Sequence, residues 1–252
     1  MKKWIVLLLL LLTGCATPQR NTITQVSTID ALLASAYDGQ MTLDQLRKHG
    51  DFGIGTFDAL DGELIMLDHQ VYQACADGTV NLMPTNATTP FASVVNFMPD
   101  LTPCLKSVLT EKTFQTAVDE LAPNQNLFLA VRFDGYFTSM KVRSVAKQEK
   151  PYPPLAEVAQ HQTVFEYTGV SGTILGFRCP SFVKGINVPG YHLHFISDDK
   201  TKGGHILDFI TIGGNLQLDT CNRFYMVLPD QEQFAGLDLA KDRSTELEKV
   251  EK

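Results

Sequence analysis

Short apolar segments, cut repeatedly by Gly, Pro and Asp-Gly, restrict this chain to a β-rich fold. Asp61-Gly62 and Asp77-Gly78 suit tight hairpin turns, and the apolar residues between them predict a β-meander. Beyond residue 160, five further segments separated by Gly or Pro have the pattern of strands: 164–168, 172–178, 191–196, 205–212 and 224–228. A chain of this kind builds its core from sheets rather than from packed helices.

Helical periodicity is confined to a few places. Ser27 or Thr28 is predicted to cap a short helix, and Thr42 begins a capping box for a second one. One longer helix is expected over 105–121, where apolar residues recur on one face. The charged segment 237–252 is also helix-prone. Few helices are therefore expected beside the sheets.

Length and composition describe a globular chain that folds as one large domain or two small ones. Its 252 residues are 44% hydrophobic and carry a formal net charge of -7. The acidic balance argues against nucleic acid as a partner. Three prolines interrupt the strand pattern at Pro151, Pro153 and Pro154. They predict a subdomain boundary near residue 150, with subdomains at about 28–150 and 151–252.

The first fifteen residues have the pattern of a lipoprotein signal. Lys2 and Lys3 precede an apolar run over 4–12 that is too short to span a bilayer as a helix. The tetrapeptide that ends at Cys15, Leu-Thr-Gly-Cys, has the form of a bacterial lipobox. We therefore expect a signal peptide over 1–14 and a lipid on Cys15; a plain secretory signal with a chance Cys at the cleavage point is the alternative.

The mature protein would then be exported and attached to a bacterial membrane only through its N-terminal lipid. Loss of Lys2 and Lys3 leaves 19 basic against 28 acidic residues, a net charge of -9. The polar segment 15–27 is predicted to be a tether, with ordered structure beginning near Ser27. Ala16, rather than Asp, follows the lipidated residue, which favours the periplasmic side of an outer membrane where the source has two membranes.

Four cysteines remain in the mature chain, and their spacing favours no disulfide framework. Cys75, Cys104, Cys179 and Cys221 are scattered, include no CxxC pair and lie in apolar stretches. Buried free thiols are the favoured interpretation, since a core of this size needs no covalent staple. One or two disulfides are the alternative, because an exported compartment permits them.

Three histidines form the most informative pattern in the chain. His192 and His194 are two residues apart in a strand, so both imidazoles lie on one face. A polar, glycine-ended turn follows, and the return strand begins at His205. With residue 194 opposite 205, three neutral imidazoles share one face, as in catalytic zinc sites. Histidines satisfied by local hydrogen bonds are the alternative, and Asp208 is left out because it lies on the opposite face.

Two charged residues are ambiguous when judged from the residues alone. Glu63 begins a strand of Leu, Ile and Met, so its carboxyl is either at an edge in water or a functional acid with a raised pKa. Arg143 lies near other cations, Arg132, Lys141 and Lys147, and has the same ambiguity. The residue pattern alone does not distinguish a solvated role from a functional one for either residue.

Several separated segments, in order and spacing, resemble the alpha-acetolactate decarboxylase family over residues 28–252. They are Gly53-Ile54-Gly55-Thr56-Phe57 through Asp61-Gly62-Glu63, Lys141-Val142-Arg143, Pro151-Tyr152-Pro153-Pro154-Leu155, Gly172-Thr173-Ile174-Leu175-Gly176-Phe177 and Pro189-Gly190-Tyr191-His192-Leu193-His194-Phe195. The resemblance implies an α/β fold of the α+β type, with two β-rich subdomains of mixed or antiparallel sheets and a few helices. It also implies a homodimer.

The same resemblance implies the activity and the site. The reaction would be zinc-dependent decarboxylation of (S)-2-acetolactate to (R)-acetoin and CO2. Zn2+ would be held in the C-terminal part by His192, His194 and His205. Arg143 matches the family's active-site arginine and Glu63 an active-site glutamate. Glu251 matches a glutamate of the family's C-terminal tail, for which Glu246 and Glu248 are the alternatives in this chain.

Two other functions remain open at this stage. A cupin-like or hydrolytic zinc enzyme would use the same histidine pair, with Glu63 activating water. A lipid-anchored protein that binds a metal or a solute would need the histidines but neither Glu63 nor Arg143. Metal-dependent turnover of 2-acetolactate separates these alternatives from the decarboxylase.

Overall fold

The computed structural model of the chain describes residues 20–251. The predicted signal, Cys15 and the first part of the predicted tether lie outside the described residues. The strands are β1 Thr22–Val26, β2 Met41–Thr42, β3 Phe52–Thr56, β4 Glu63–Leu67, β5 Gln70–Ala74, β6 Val80–Leu82, β7 Thr88–Thr89, β8 Ala92–Val95, β9 Cys104–Leu105, β10 Leu109–Thr110, β11 Phe128–Ser144, β12 Thr163–Tyr167, β13 Val170–Cys179, β14 Gly190–Ser197, β15 Gly203–Cys221 and β16 Arg223–Val227. The helices are α1 Ile29–Leu33, α2 Leu43–Leu46, α3 Glu111–Leu121, α4 Leu155–Val158, α5 Glu232–Ala235 and α6 Ser244–Val250.

Two seven-stranded sheets and a small ribbon make up the β-structure of residues 20–251, and the class is α+β, as expected. The first sheet has the order β16-β1-β8-β3-β4-β5-β6, in which only β1 and β16 run parallel. The second sheet has the order β10-β15-β14-β13-β11-β12, with β9 added to β15 and a further pairing between β15 and β11. Its pairings are all antiparallel. β2 pairs with β7.

The predicted tether is wrong over residues 22–26, which form β1 between β8 and β16 and are buried. The segment looks like a tether because it is polar and lacks periodicity. Its polar groups are satisfied inside the protein: the Gln25 side-chain amide donates to the carbonyl oxygens of Ser27 and Ile186 at 2.8 and 2.7 Å. Burial of both strand faces removes the alternation by which a strand is usually found.

The chain is not divided at residue 150 into two sheets. β11, which precedes the prolines, pairs with β13 and β15, which follow them. β16 returns to the first sheet beside β1. Two β-rich halves exist, but each takes strands from both sides of the predicted boundary, because strand pairing over long sequence separations is invisible to local composition.

The helices are shorter than the periodicity predicts. α3 begins at Glu111 rather than at 105, because 104–105 and 109–110 pair with β15 and Thr110 caps the helix. The predicted caps at Thr28 and Thr42 are confirmed, each accepting a backbone N–H from the first turn. Within residues 20–251, no helix is long and apolar enough to cross a membrane.

The four described cysteines are free, as favoured from the sequence. Cys179 and Cys221 are buried in the core between the sheets, and burial raises the pKa of the Cys179 thiol to about 12. Cys104 is exposed and Cys75 half-buried. The prediction of buried thiols is therefore wrong for Cys75 and Cys104. Both residues lie near strand ends rather than in the middle of an apolar strand.

Candidate metal centre and active site

The three predicted histidines meet on one face of the β14–β15 hairpin. His194 lies directly opposite His205 in the strand register, which is the pairing that the three-histidine hypothesis required, and His192 is two residues along the same face. One ring nitrogen from each of the three lies within 4.8 Å of the others. The ring centroids are 5.0 to 5.4 Å apart. The hairpin alone thus assembles a potential metal-binding group.

A glycine on the neighbouring strand lets the histidine strand pack closely. Gly176 of β13 lies opposite Leu193, with a φ of +155°. A Cβ placed there would lie 2.1 Å from the carbonyl oxygen of His192. A larger residue would therefore push β14 away and shift both of its histidines.

The imidazoles are held in the form that binds a metal. His194 Nδ1 lies 3.1 Å from the carbonyl oxygen of Leu64, which only accepts, so Nδ1 carries the hydrogen and Nε2 the lone pair. Burial, and then the neighbouring positive groups, hold the pKa of His194 and of His205 well below the ordinary value. His194 Nε2 and His205 Nδ1 are buried without a hydrogen-bond partner among the described residues. Neutral rings with unsatisfied nitrogens fit a divalent metal.

Glu63 and Arg143 form a buried ion pair against this group. Glu63 begins β4, and Arg143 lies near the end of β11, directly opposite His205. Arg143 Nη1 is 3.3 Å from Glu63 Oε1, and Glu63 Oε2 is 3.6 Å from His194 Nε2. Burial raises the pKa of Glu63 to about 7, although the Arg143 guanidinium partly opposes the shift. The sequence alone left two interpretations of Glu63, a solvated carboxyl at a sheet edge or a functional acid with a raised pKa. In the structure the Glu63 side chain is buried.

The C-terminal segment covers the open side of the site. Arg143 Nη2 donates to the carbonyl oxygen of Val250 at 3.0 Å. Glu251 follows α6, and its Oε2 lies 3.8 Å from His205 Nε2. Leu247 and Val250 are buried in an apolar cluster with residues of α1 and α4. The structure therefore brings Glu251 to the histidines together with Glu63 and Arg143. Of the two alternative tail acids, Glu246 pairs instead with Lys241 and Arg243.

An apolar wall, which the sequence patterns did not indicate, faces these polar groups. It is formed by Ile29, Leu32, Leu60, Phe91, Val145 and Leu155. Together with the polar residues it encloses a cavity of about 40 Å³. Helical or strand periodicity marks such residues as core, and only the fold shows that they border a site. The proline motif that begins at Pro151 was the sequence feature that could have indicated Leu155. Its last proline, Pro154, directly precedes α4, which begins at Leu155.

Comparison with known proteins shows the family of this chain. A family model described as alpha-acetolactate decarboxylase matches residues 23–241. The chain belongs to the alpha-acetolactate decarboxylase family. It is 47% identical over 228 residues to the alpha-acetolactate decarboxylase of Methanosarcina mazei, covering 90% of this chain and 79% of that protein. It is 40% identical to that of Bacillus subtilis, covering 88% and 89% of the two chains.

Solved structures of this family have the same fold. The crystal structure of alpha-acetolactate decarboxylase from Bacillus subtilis strain 168 superposes with a TM-score of 0.89 at 38% identity, covering 91% of this chain and 99% of that one. A Staphylococcus aureus protein of unknown function, similar to alpha-acetolactate decarboxylase, superposes at 0.86 with 29% identity, covering 91% and 98%. The chain is accordingly an enzyme of the carboxy-lyase class that decarboxylates alpha-acetolactate.

Proposed function

We propose that this enzyme uses Zn2+ held by His192, His194 and His205 to convert (S)-2-acetolactate to (R)-acetoin and CO2. The observation that carries the proposal is the convergence of three neutral imidazoles with a buried carboxyl and a buried guanidinium, next to a cavity that His192 and His205 line. An all-nitrogen group without cysteine is typical of catalytic rather than structural zinc. Bound there, the metal would supply Lewis-acid polarisation of the substrate's ketone and hydroxyl oxygens.

The reaction needs one bond cleavage and one proton. The bond between the carboxylate carbon and C2 breaks, CO2 leaves, and the electron pair moves into the C2–C3 bond as the ketone oxygen becomes an enolate oxygen. A proton delivered to C2 then gives acetoin. The protein must therefore orient the carboxylate, stabilise negative charge on oxygen, and hold a proton on one face of C2.

Arg143 is suited to the first two tasks. Two of its nitrogens are held by Glu63 and by the Val250 carbonyl oxygen, so the guanidinium plane has a defined orientation. Its Nε is buried and has no hydrogen-bond partner among the described residues. A guanidinium stays charged in a dry site, and it can donate to the substrate carboxylate or to the enolate oxygen that forms from the ketone.

Glu63 is the proposed proton donor to C2. Its carboxyl lies between Arg143 and His194 and lines the cavity. A single acid held on one side of a planar intermediate delivers its proton to one face, which determines the configuration of the product. Glu251 approaches from the C-terminal side and is proposed to hold the substrate hydroxyl or to assist the metal ligands. The apolar wall would receive the two methyl groups and exclude water.

Turnover measurements test this proposal. Protein lacking residues 1–15 is incubated with racemic 2-acetolactate, and acetoin and CO2 are followed before chelation, after chelation, and after Zn2+ or Mg2+ is returned. We expect activity to disappear with the chelator and to return with Zn2+ only, with half of the racemate consumed rapidly and one acetoin enantiomer formed. Folded, zinc-loaded protein that does not turn over would favour a hydrolytic or binding role.

We also propose that the enzyme is an exported lipoprotein, acylated at Cys15 and facing the periplasm from an outer membrane where two membranes exist, and that it is a homodimer. The lipobox pattern supports the first proposal, and the family resemblance supports the second. Intact mass of the wild type and of Cys15→Ser tests acylation. Light scattering of protein lacking residues 1–15 tests the dimer.

A further inference from the structure

We propose that the end of the protein where the described chain begins lies against the lipid surface and orients the enzyme on the membrane. Four exposed apolar residues surround this end: Met98, Leu101, Leu121 and Phe182. We name them the anchor-side patch. The inference rests on the proposed acylation of Cys15 and is independent of the proposed chemistry.

Backbone pairing places the start of the described chain at the end of β15. The Asn21 side-chain amide donates to the carbonyl oxygen of Thr220 at 2.7 Å, and the Asn21 carbonyl oxygen accepts the N–H groups of Asn222 and Arg223 at 3.1 Å. Residue 20 is five positions after Cys15 along the chain. A chain extends at most about 3.6 Å per residue, so the lipid would be attached within roughly 20 Å of this point. So short a link brings this end of the protein to the headgroups.

Three residues of the anchor-side patch gather at the same end of β15. Leu101 forms a β-bridge with Leu218. Leu101 and Leu121 line a surface pocket of about 240 Å³ together with Thr220. The backbone N–H of Met98 donates to Asp219 Oδ2 at 2.8 Å.

Phe182 is attached to this end through aromatic contacts. Its ring lies edge-on to that of Phe128, with centroids 6.3 Å apart, and Phe128 pairs with Cys221 in the strand register. Phe128 also stacks on Phe224 at 5.1 Å. Phe182 itself is 65% exposed. A largely exposed aromatic ring at this end is suited to insertion at a membrane interface.

Two basic side chains at this end can contact headgroups. Arg20 and Arg223 are both exposed beside the anchor-side patch, in a mature chain whose net charge is -9. Their guanidinium groups can contact lipid phosphates. Asp100 and Glu120 are exposed acids at the same end, and one Asp100 oxygen accepts the Thr220 N–H at 2.9 Å. Four side chains bind a bilayer weakly by themselves, so the lipid holds the protein and the patch selects its orientation.

Tryptophan fluorescence tests the orientation without a background signal. The only Trp of the chain is Trp4, which the predicted processing removes. The full chain is expressed as Phe182→Trp and, as a matched control, as Leu82→Trp. Leu82 is 61% exposed and lies on β6, at the opposite edge of the first sheet from β16. Each processed lipoprotein is placed in vesicles of phosphatidylethanolamine and phosphatidylglycerol that contain a brominated lipid.

We expect roughly threefold stronger bromine quenching for Phe182→Trp than for Leu82→Trp, since interfacial side chains reach about 5–10 Å into the headgroup region. Equal quenching, or none, in proteins that float with the vesicles would overturn the inference. So would emission from Phe182→Trp that is already shielded in detergent and depends on protein concentration, because a second copy would then cover the anchor-side patch. Absence of acyl chains in the wild-type mass would refute anchor and orientation together. Acetoin formation, measured in the same samples, reports on the proposed chemistry separately.

Discussion

The active site has two halves that are built in different ways. Glu63, Arg143 and the three histidines are carried by paired strands of the two sheets, and their positions follow from ladder register. Glu251 is carried by a seven-residue helix near the end of the chain, held by Leu247 and Val250 and by the bond from Arg143 to the Val250 carbonyl oxygen. Backbone hydrogen bonds between neighbouring strands hold the strand-borne half in position. The helix-borne half is held by only a few contacts.

This difference indicates a division of labour. Groups that must keep their geometry throughout the reaction are placed where neighbouring strands on both sides define it. A group at a short terminal helix can leave and return at low cost, because local opening needs only the contacts of that helix. In the closed arrangement the cavity is small, so movement of α6 would admit the substrate. We therefore expect strand-borne changes to affect chemistry and metal, and helix-borne changes to affect closure.

The largest effect is expected from His192→Ala combined with His194→Ala. Removal of two of three ligands leaves a site that cannot retain zinc, so acetoin formation should fall by roughly 10³-fold or more. Metal analysis and turnover measure this. His161→Ala is the control, since His161 is exposed and belongs neither to the histidine group nor to the cavity lining. Full zinc occupancy in the double variant would refute the assigned ligands.

Glu63→Gln should lower kcat by about 10²- to 10³-fold with zinc retained, because the amide keeps the shape of the carboxyl but cannot supply its proton. Product chirality is a second readout, and the residual acetoin should approach a racemate. Glu166→Gln, which alters an exposed acid paired with Lys141, serves as the control. Near-normal, enantiopure turnover would remove Glu63 from the mechanism.

Glu251→Gln and Leu247→Ala sharpen the comparison between the two halves. Each should lower kcat/KM by about tenfold, the first by removing the carboxylate and the second by loosening the helix that carries it. Zinc content should stay unchanged in both. Hydrogen exchange should be faster in 244–251 than in β14, and faster again in Leu247→Ala. Lys249→Gln, on the exposed side of α6, should behave as wild type.

A loss of zinc in Glu251→Gln as large as that in the histidine variant would contradict the division of labour. The terminal carboxylate would then be as necessary to the metal as the strand-borne ligands. Slow exchange over 244–251, equal to that of β14, would likewise show that α6 does not open independently.

The smallest expected effect is a change in stability from Asp219, which lies near the end of β15. Burial raises the pKa of Asp219 to about 6 from 3.8. The folded state therefore binds this proton more tightly than the unfolded state, so Asp219 costs stability as pH rises through about 4 to 6. Asp219→Asn should raise the free energy of unfolding by roughly 1–2 kcal/mol at pH 8 and by little at pH 4.

Denaturant titrations at the two pH values measure this shift. Activity should be unchanged, because Asp219 lies at the opposite end of β15 from His205. A stability gain of equal size at both pH values would mean that the carboxyl is not the cause. Altered turnover would mean that the two ends of the strand are coupled.

Local rules predicted much of the strand-borne half. Alternation placed His192 and His194 on one face, and the polar, glycine-ended turn predicted the hairpin, whereas the register that puts His194 opposite His205 was only assumed. The same rules failed for β1, whose polar residues are buried on both faces. Glu251 was assigned only through the family resemblance, because a carboxylate near a chain end has no local pattern that distinguishes it from a solvated one.

The sequence by itself determined the turns, the short strands, the histidine face and the acidic charge, since these depend on neighbouring residues and on composition. Tertiary structure decided which charged groups are buried away from solvent. Glu63 and Arg143 are 80 residues apart, and their pairing, their burial and the shifted pKa of Glu63 arise only when β4 and β11 are brought together. Desolvation is a property of everything packed around a group, and it therefore cannot be obtained from the residues beside it in the chain.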